Sequence, residues 1–247
     1  MKKNVLFSTL SLVAVWVIWL IAYYIIGNEW VLPSVGSAFS EMFRLFAEGA
    51  FWRAFLHTLL RTLAAFGISF ILGILLAIAA RAKAAVRTFL APIISILRTV
   101  PTMAIILMLK IWTTPSVAPV VVTVLVLFPA VYAATLAALD EVGEEYGGIV
   151  RAYGVGMKRQ IVRMYLPLML PSLLKQTGAI LSMGLKITVS GEILALTFRS
   201  IGGFMQEAQA YLETSRLMAL TLVVVALGFL LELSFLGISK LAVRWKR

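Results

Sequence analysis

The 247-residue chain has no cysteine and a single histidine, His57. Disulfides and thiolate metal sites are thereby excluded, and one imidazole cannot build a multi-histidine centre. Neither H-E-x-x-H nor G-x-x-x-x-G-K-[ST] occurs, so zinc-protease chemistry and a P-loop nucleotide site are not expected in this chain. Charge is scarce too: Asp, Glu, Lys and Arg make up 13% of the residues, and only 11 are acidic. A soluble domain that was also 62% hydrophobic could not cover its apolar surface with polar atoms, so the composition is that of an integral membrane protein. No low-complexity tract, long linker or clear internal repeat divides the chain.

What the sequence does hold is a series of apolar runs. A helix rises about 1.5 Å per residue, so a hydrocarbon layer of about 30 Å takes about 20 apolar residues. Six stretches qualify, at about 5–26, 55–80, 88–111, 117–139, 171–197 and 217–238. The first follows Lys2 and Lys3 but exceeds a signal-peptide core and lacks a small-x-small cleavage pattern, so it is expected to be a retained span. Six spans put both termini on one side. Lys2, Lys3, Arg81, Lys83, Arg87, Arg151, Lys158, Arg159, Arg163, Lys240, Arg244, Lys246 and Arg247 share that side, against Arg44, Arg53, Arg199 and Arg216 opposite. The positive-inside rule makes the richer side, with both termini, cytoplasmic. The net charge of +11 is then a topology signal, and nucleic acid is not an expected partner. On the outer side, Phe39, Met42, Phe43 and Phe46 follow helical spacing and suit a helix lying along the membrane interface.

The longest cytoplasmic interruption, 140–170, begins acidic with Asp140, Glu141, Glu144 and Glu145 and ends basic with Arg151, Lys158, Arg159 and Arg163, an order that complements a helix dipole. Gly154 and Gly156 predict two short helices joined by a bend, and Pro167 and Pro171 a turn back into the membrane. Met157, Ile161, Met164 and Tyr165 share one face. From the pattern alone such an element either rests on lipid headgroups or docks into a groove of a cytoplasmic partner.

Placing a cation at mid-span costs about 2.5–3.5 kcal/mol on insertion scales, so Arg98 and Lys186, near the middle of the third and fifth spans, are expected to face protein or water. Lys186 has no acid at its depth, which favours a place on a translocation path, and two midplane cations suit an anionic solute. Lys110 and Glu192, toward the outer ends of the same spans, form a depth-matched candidate pair. His57 and Arg61 are expected to snorkel to the outer interface. Gly73 with Ala77 and Gly178 with Ser182 have close-packing spacing, at a dimer seam or elsewhere.

Taken in order along nearly the whole chain, several stretches resemble the permease subunits of ABC importers, in the branch handling sulfonates, taurine, nitrate and thiamine-precursor pyrimidines. They are Leu32-Pro33-Ser34; His57-Thr58 with Arg61 and Phe66-Gly67; Leu97-Arg98-Thr99-Val100-Pro101-Thr102 with Trp112; Arg151-Ala152-Tyr153-Gly154 leading to Leu166-Pro167; Glu192; and Ile201-Gly202-Gly203 leading to Ala208. Two positions depart from the pattern. Gly148-Ile149-Val150 stands where that family's loop begins Glu-Ala-Ala, and Thr113-Thr114 where Phe-Gly follows the tryptophan.

The resemblance implies an all-α, six-span, type I importer permease fold with both termini cytoplasmic, forming one permease domain over 1–247 of a prokaryotic inner-membrane protein. It implies a second permease copy, an external substrate-binding protein and separate ATPase subunits holding ATP and Mg, with no cofactor in this chain. The 140–170 loop would be the coupling element, with Arg151, Ala152, Tyr153, Gly154, Met157, Ile161, Leu166 and Pro167 as its contact and frame residues. Arg98, Lys110, Lys186 and Glu192 would lie along the path. The competing class is an ion-coupled secondary transporter, which should show matching broken helices in two halves; Pro101 has no counterpart.

Overall fold

The structure, a computed structural model, describes the backbone of residues 2–152 and 156–242. All regular structure among them is helical: α1 (Lys2–Ile26), α2 (Val35–Ala47), α3 (Gly49–Ala82), α4 (Ala84–Thr99), α5 (Thr102–Trp112), α6 (Ala118–Ala152), α7 (Met157–Gln160), a wide π-turn (Ile161–Tyr165), α8 (Leu166–Ala195), α9 (Ile201–Ala210) and α10 (Thr214–Ala242). Four segments are single helices long and apolar enough to cross a membrane: Gly49–Ala82, Ala118–Gly148, Ile161–Ala195 and Thr214–Ser239. A fifth is broken, and Val13–Ile26 of α1 is a shorter apolar stretch.

The broken span corrects the single stretch expected over 88–111. α4 and α5 meet at 93° around Pro101. Proline has no N–H to give and its ring clashes with the carbonyl four residues back. It also drives the preceding residue to extended backbone, and Val100 stands at φ −65°, ψ 128°.

The core is α3, α6, α8 and α10 packed on one another. α3 buries Phe51, Ala54, Thr58, Thr62, Ala65, Ser69, Gly73, Ala77 and Ala80, a stripe spaced three or four residues apart and nearly all small, which lets its backbone approach α6. A Cβ added at Gly73 would stand 2.7 Å from Val131 of α6, and one at Gly184 2.7 Å from Leu127. Gly178 of α8 faces the α10 backbone at Glu232, and Gly228 of α10 faces Ser182. The two small-residue pairs seen in the sequence therefore pack seams within one chain. Buried hydroxyls, which hydrocarbon cannot solvate, turn to carbonyls one turn earlier: Thr62 to Thr58 (2.9 Å), Ser69 to Ala65 (2.8 Å), Thr123 to Pro119 (2.7 Å) and Thr177 to Leu173 (2.9 Å). Thr123 and Thr188 also join α6 to α8 at 3.0 Å.

α2 is capped by Ser34, whose hydroxyl accepts the Ser37 N–H at 3.1 Å. It buries Ala38 and Leu45 and packs against α10, while Phe43 points outward. α1 holds to this region by Trp19, which donates to the Pro33 carbonyl (3.1 Å), and by Trp16, stacked on Phe39.

The 140–170 segment also differs from the two-helix reading. Its acidic half is not a separate helix: α6 runs unbroken from Ala118 to Ala152. Its basic half runs through the π-turn directly into α8. Pro167 therefore does not turn the chain. Its ring would strike the carbonyl of Arg163 in a regular helix, and the turn is widened over Ile161–Tyr165, where the Leu166 N–H reaches the Ile161 carbonyl.

Candidate functional site

Glu192 lies in the last turn of α8 and is wholly buried. Its carboxylate accepts the Thr58 hydroxyl (2.8 and 3.0 Å to its two oxygens), Arg61 Nη1 (3.0 Å) and the Gly202 N–H (3.1 Å). Thr58 Oγ1 in turn accepts the Ile201 N–H at 2.9 Å. One carboxylate thus joins α3, α8 and the start of α9, where free N–H groups favour negative charge.

The local sequence builds this arrangement. Thr58 and Arg61 are three apart on α3 and so share a face. Leu196, left-handed at φ 56°, ends α8, and Thr197 N–H returns to the Glu192 carbonyl oxygen at 2.9 Å. Ser200 caps α9 by accepting the Gly203 N–H (2.8 Å) and donates to the Thr197 carbonyl (2.8 Å). Gly202 has to lack a side chain, since a Cβ there would stand 2.7 Å from the Val189 carbonyl oxygen and overlap the Glu192 side chain. Thr197 Oγ1 donates to the Pro115 carbonyl at 2.6 Å, tying the α5–α6 connection to the same turn.

The pairing differs from the one read in the sequence. Glu192 is bound by Arg61, so Arg61 does not snorkel away and Lys110 is not the partner of Glu192. Lys110 is exposed on α5. Arg98 is exposed and donates to the Pro129 carbonyl oxygen of α6 at 3.2 Å. Lys186 belongs to an exposed stripe along α8 formed by Lys175, Ala179, Met183, Lys186 and Ser190. Their spacing of three or four residues puts them on one face.

At the other end of the bundle, the 140–170 segment is anchored through its acidic start. Asp140 pairs with Arg87 of α4 (3.1 Å) and Arg81 of α3 (3.6 Å). Arg81 also donates to the Tyr165 hydroxyl at 3.2 Å, with its guanidinium 5.5 Å from the Tyr165 ring centre. Ile161, Leu166 and Pro167 are half-buried, and the first two pack against the same core as Tyr165. Arg151 and Ala152 close α6, and Met157 opens α7. The side chains of these three, and Tyr153 and Gly154 entirely, lie outside the described residues.

Arg81 reaches Tyr165 across Gly143, where a Cβ would occupy the place of its guanidinium and stand 3.2 Å from the Tyr165 hydroxyl. Gly143→Ala should therefore release this contact at a cost of about 0.5–1.5 kcal/mol. Arg81→Met should cost a similar amount, and the double variant little more than either single one. A thermal-unfolding double-mutant cycle in detergent checks this, and strict additivity would contradict it.

A bundle of helices long and apolar enough to cross a membrane defines a multi-pass membrane protein. The chain belongs to the family of binding-protein-dependent transport system inner membrane components, whose sequence profile matches residues 69–247. It is a permease subunit of an ABC importer. Among its relatives is the taurine transport system permease protein TauC of Escherichia coli (strain K12), 26% identical over 201 residues, 81% of this chain and 73% of TauC. Solved structures of similar fold include the methionine ABC transporter MetNI in an inward-facing conformation, with a TM-score of 0.64, 19% identity and coverage of 82% of this chain and 98% of that one. Another is an amino acid ABC transporter, with a TM-score of 0.63, 17% identity and coverage of 78% and 92%.

Proposed function

We propose that this permease spans the cytoplasmic membrane of a prokaryote six times, as one domain with both termini inside. In this reading it pairs with a second copy and passes a small polar, anionic solute delivered by an external binding protein. ATP and Mg belong to separate ATPase subunits. The observation that carries the reading is the exposed α8 stripe, which sets Lys186, Lys175 and Ser190 on one open face of a membrane helix. Lipid would penalise Lys186 by about 2.5–3.5 kcal/mol, so the face is best placed against water between two copies. Arg98 and Lys110, exposed on the bent α4–α5 pair, extend the positive potential of that path, while Glu192 acts from behind by holding Arg61. An aminosulfonate such as the taurine named for TauC, a zwitterion whose sulfonate is the anionic group these cations would meet, is a suitable cargo.

Coupling enters through 140–170. Arg151 to Gly154 and Met157 are assigned to the docking surface for the ATPase, and Ile161, Leu166 and Pro167 to the frame that passes its movement into α8. With Gly148 at the position of the usual glutamate, the exposed Glu141, Glu144 and Glu145 are the acids available to a partner, since Asp140 is already paired. Differential fit of the loop to two ATPase states is what transmits work.

Replacing Gly154 by isoleucine should abolish uptake in proteoliposomes while the assembled ATPase still hydrolyses ATP. Unchanged uptake would sink the coupling role. Uptake that persists without any ATPase would instead support an ion-coupled transporter.

A further inference from the structure

A cavity of about 590 Å³ opens beside the Glu192 cluster, lined by His57, Arg61, Ser116, Phe198 and Arg199. We infer that it is a binding site for the anionic group of a small organic solute such as a sulfonate, the first station of the cargo at the outer mouth of the path. The inference rests on the importer reading for which side of the membrane this end faces.

Its volume falls in the range of small-molecule sites, about 300–1,000 Å³. Three separate segments converge on it: α3, the α5–α6 connection and the α8–α9 turn. Three of its five lining side chains are basic and none is acidic.

The two arginines are arranged differently, and each arrangement suits an anion. Arg61 is held in place by Glu192, which takes one of its five N–H donors, so its position is set in advance and other donors remain for a ligand. Arg199 makes no hydrogen bond or ion pair among the described residues. Its backbone is left-handed at φ 50°, a conformation that costs any residue but glycine. Glu207 lines the adjoining cavity, which shares Phe198 and Arg199 with this one, but it is not within ion-pair distance of Arg199. The Thr197–Pro115 hydrogen bond fixes the turn that carries Arg199 against the connection that carries Ser116. Phe198, strongly exposed beside them, supplies an apolar wall for the organic part of the ligand.

The left-handed backbone makes Arg199→Gly a clean test, because it removes the cation and relieves the strain together. The full-length permease in lipid nanodiscs, without ATPase, is assayed with radiolabelled taurine and with inorganic sulfate as competitor. We expect saturable, mutually competitive binding, weakened about tenfold or more in Arg199→Gly with an unchanged or raised melting temperature, and largely kept in Arg199→Lys. His57→Ala, at an exposed position outside the carboxylate cluster, should weaken binding less and serves as the second variant.

Equal affinity in wild type and Arg199→Gly, or no saturable binding of either probe to the wild type, overturns the site. If Arg199→Gly loosens only the docking of the binding protein and leaves taurine binding unchanged, the occupant is a protein carboxylate and the inference fails. ATP-driven uptake by the reconstituted complex separates the two levels. Binding intact without ATP-driven uptake refutes the importer reading alone, whereas uptake intact without binding refutes only this site.

Discussion

Glu192→Ala is expected to destabilise the protein by about 3–5 kcal/mol, the range for removing one partner of a buried ion pair. The size follows from what is stranded. Arg61, only 15% exposed, loses its counter-ion. The Gly202 N–H and one bond of Thr58 lose their acceptor in the same step. Because the carboxylate holds three helices at one point, the α8–α9 turn loses its anchor to α3 as well.

Glu192→Gln should cost much less. Its amide oxygen can still accept from Thr58 and Gly202, and what remains uncompensated is the charge of Arg61. Adding Arg61→Met to Glu192→Ala should recover part of the loss, because a buried pair replaced by apolar groups is often tolerated where half a pair is not. Thermal unfolding of the purified protein in detergent measures all three variants. A Glu192→Ala protein as stable as the wild type would mean the carboxylate bears no load.

The same cluster shows where sequence reasoning stopped. The apolar runs and the positive-inside count needed only composition and length, and the long helices lie where those runs lie. The partner of Glu192 was nearly legible. Counted from the outer ends of the second and fifth spans at Phe55 and Thr197, Arg61 is six residues in and Glu192 five, whereas Lys110 is one residue from the end of its span at Ile111. Depth alone therefore favours Arg61. What hid it is that Arg61 stands one turn from His57, close enough to an interface to be satisfied by water. The 93° bend at Pro101 was legible as a break but not as an angle, since proline dictates that a helix stops and not where the next one points. The continuity of α6 through the acidic half of 140–170 was hidden by reading the onset of charge as the end of a span and the start of a separate short helix. Glu141, Glu144 and Glu145 are as acceptable on an exposed helix as in a turn.

The small residues were read correctly as packing and left without a partner, because a glycine pair specifies closeness and not which helix comes close. The structure supplies that partner, and Gly178→Leu follows as the second large effect. A Cβ at Gly178 would stand 2.9 Å from the Glu232 carbonyl oxygen and 3.1 Å from both Glu232 Cα and Phe235 Cβ. Two of these atoms are backbone, so no flexible side chain can give way and α8 has to move off α10.

Helix association in lipid depends on van der Waals contact, and the Gly228–Ser182 contact of the same seam would be lost with it. The expected cost is about 1–3 kcal/mol or more. Gly237→Leu on α10, with nothing within 4 Å of its Cβ, should change stability by no more than about 0.5 kcal/mol. The functional loss should exceed the stability loss. α8 carries the Lys186 stripe, so a shift of this helix displaces the face assigned to the path in a protein that still folds. Melting temperature and uptake measured on one preparation check both parts. Mass photometry adds the decisive contrast: if Gly178→Leu splits two copies apart while each keeps its melting temperature, the seam joins protomers and the intrachain packing does not explain it.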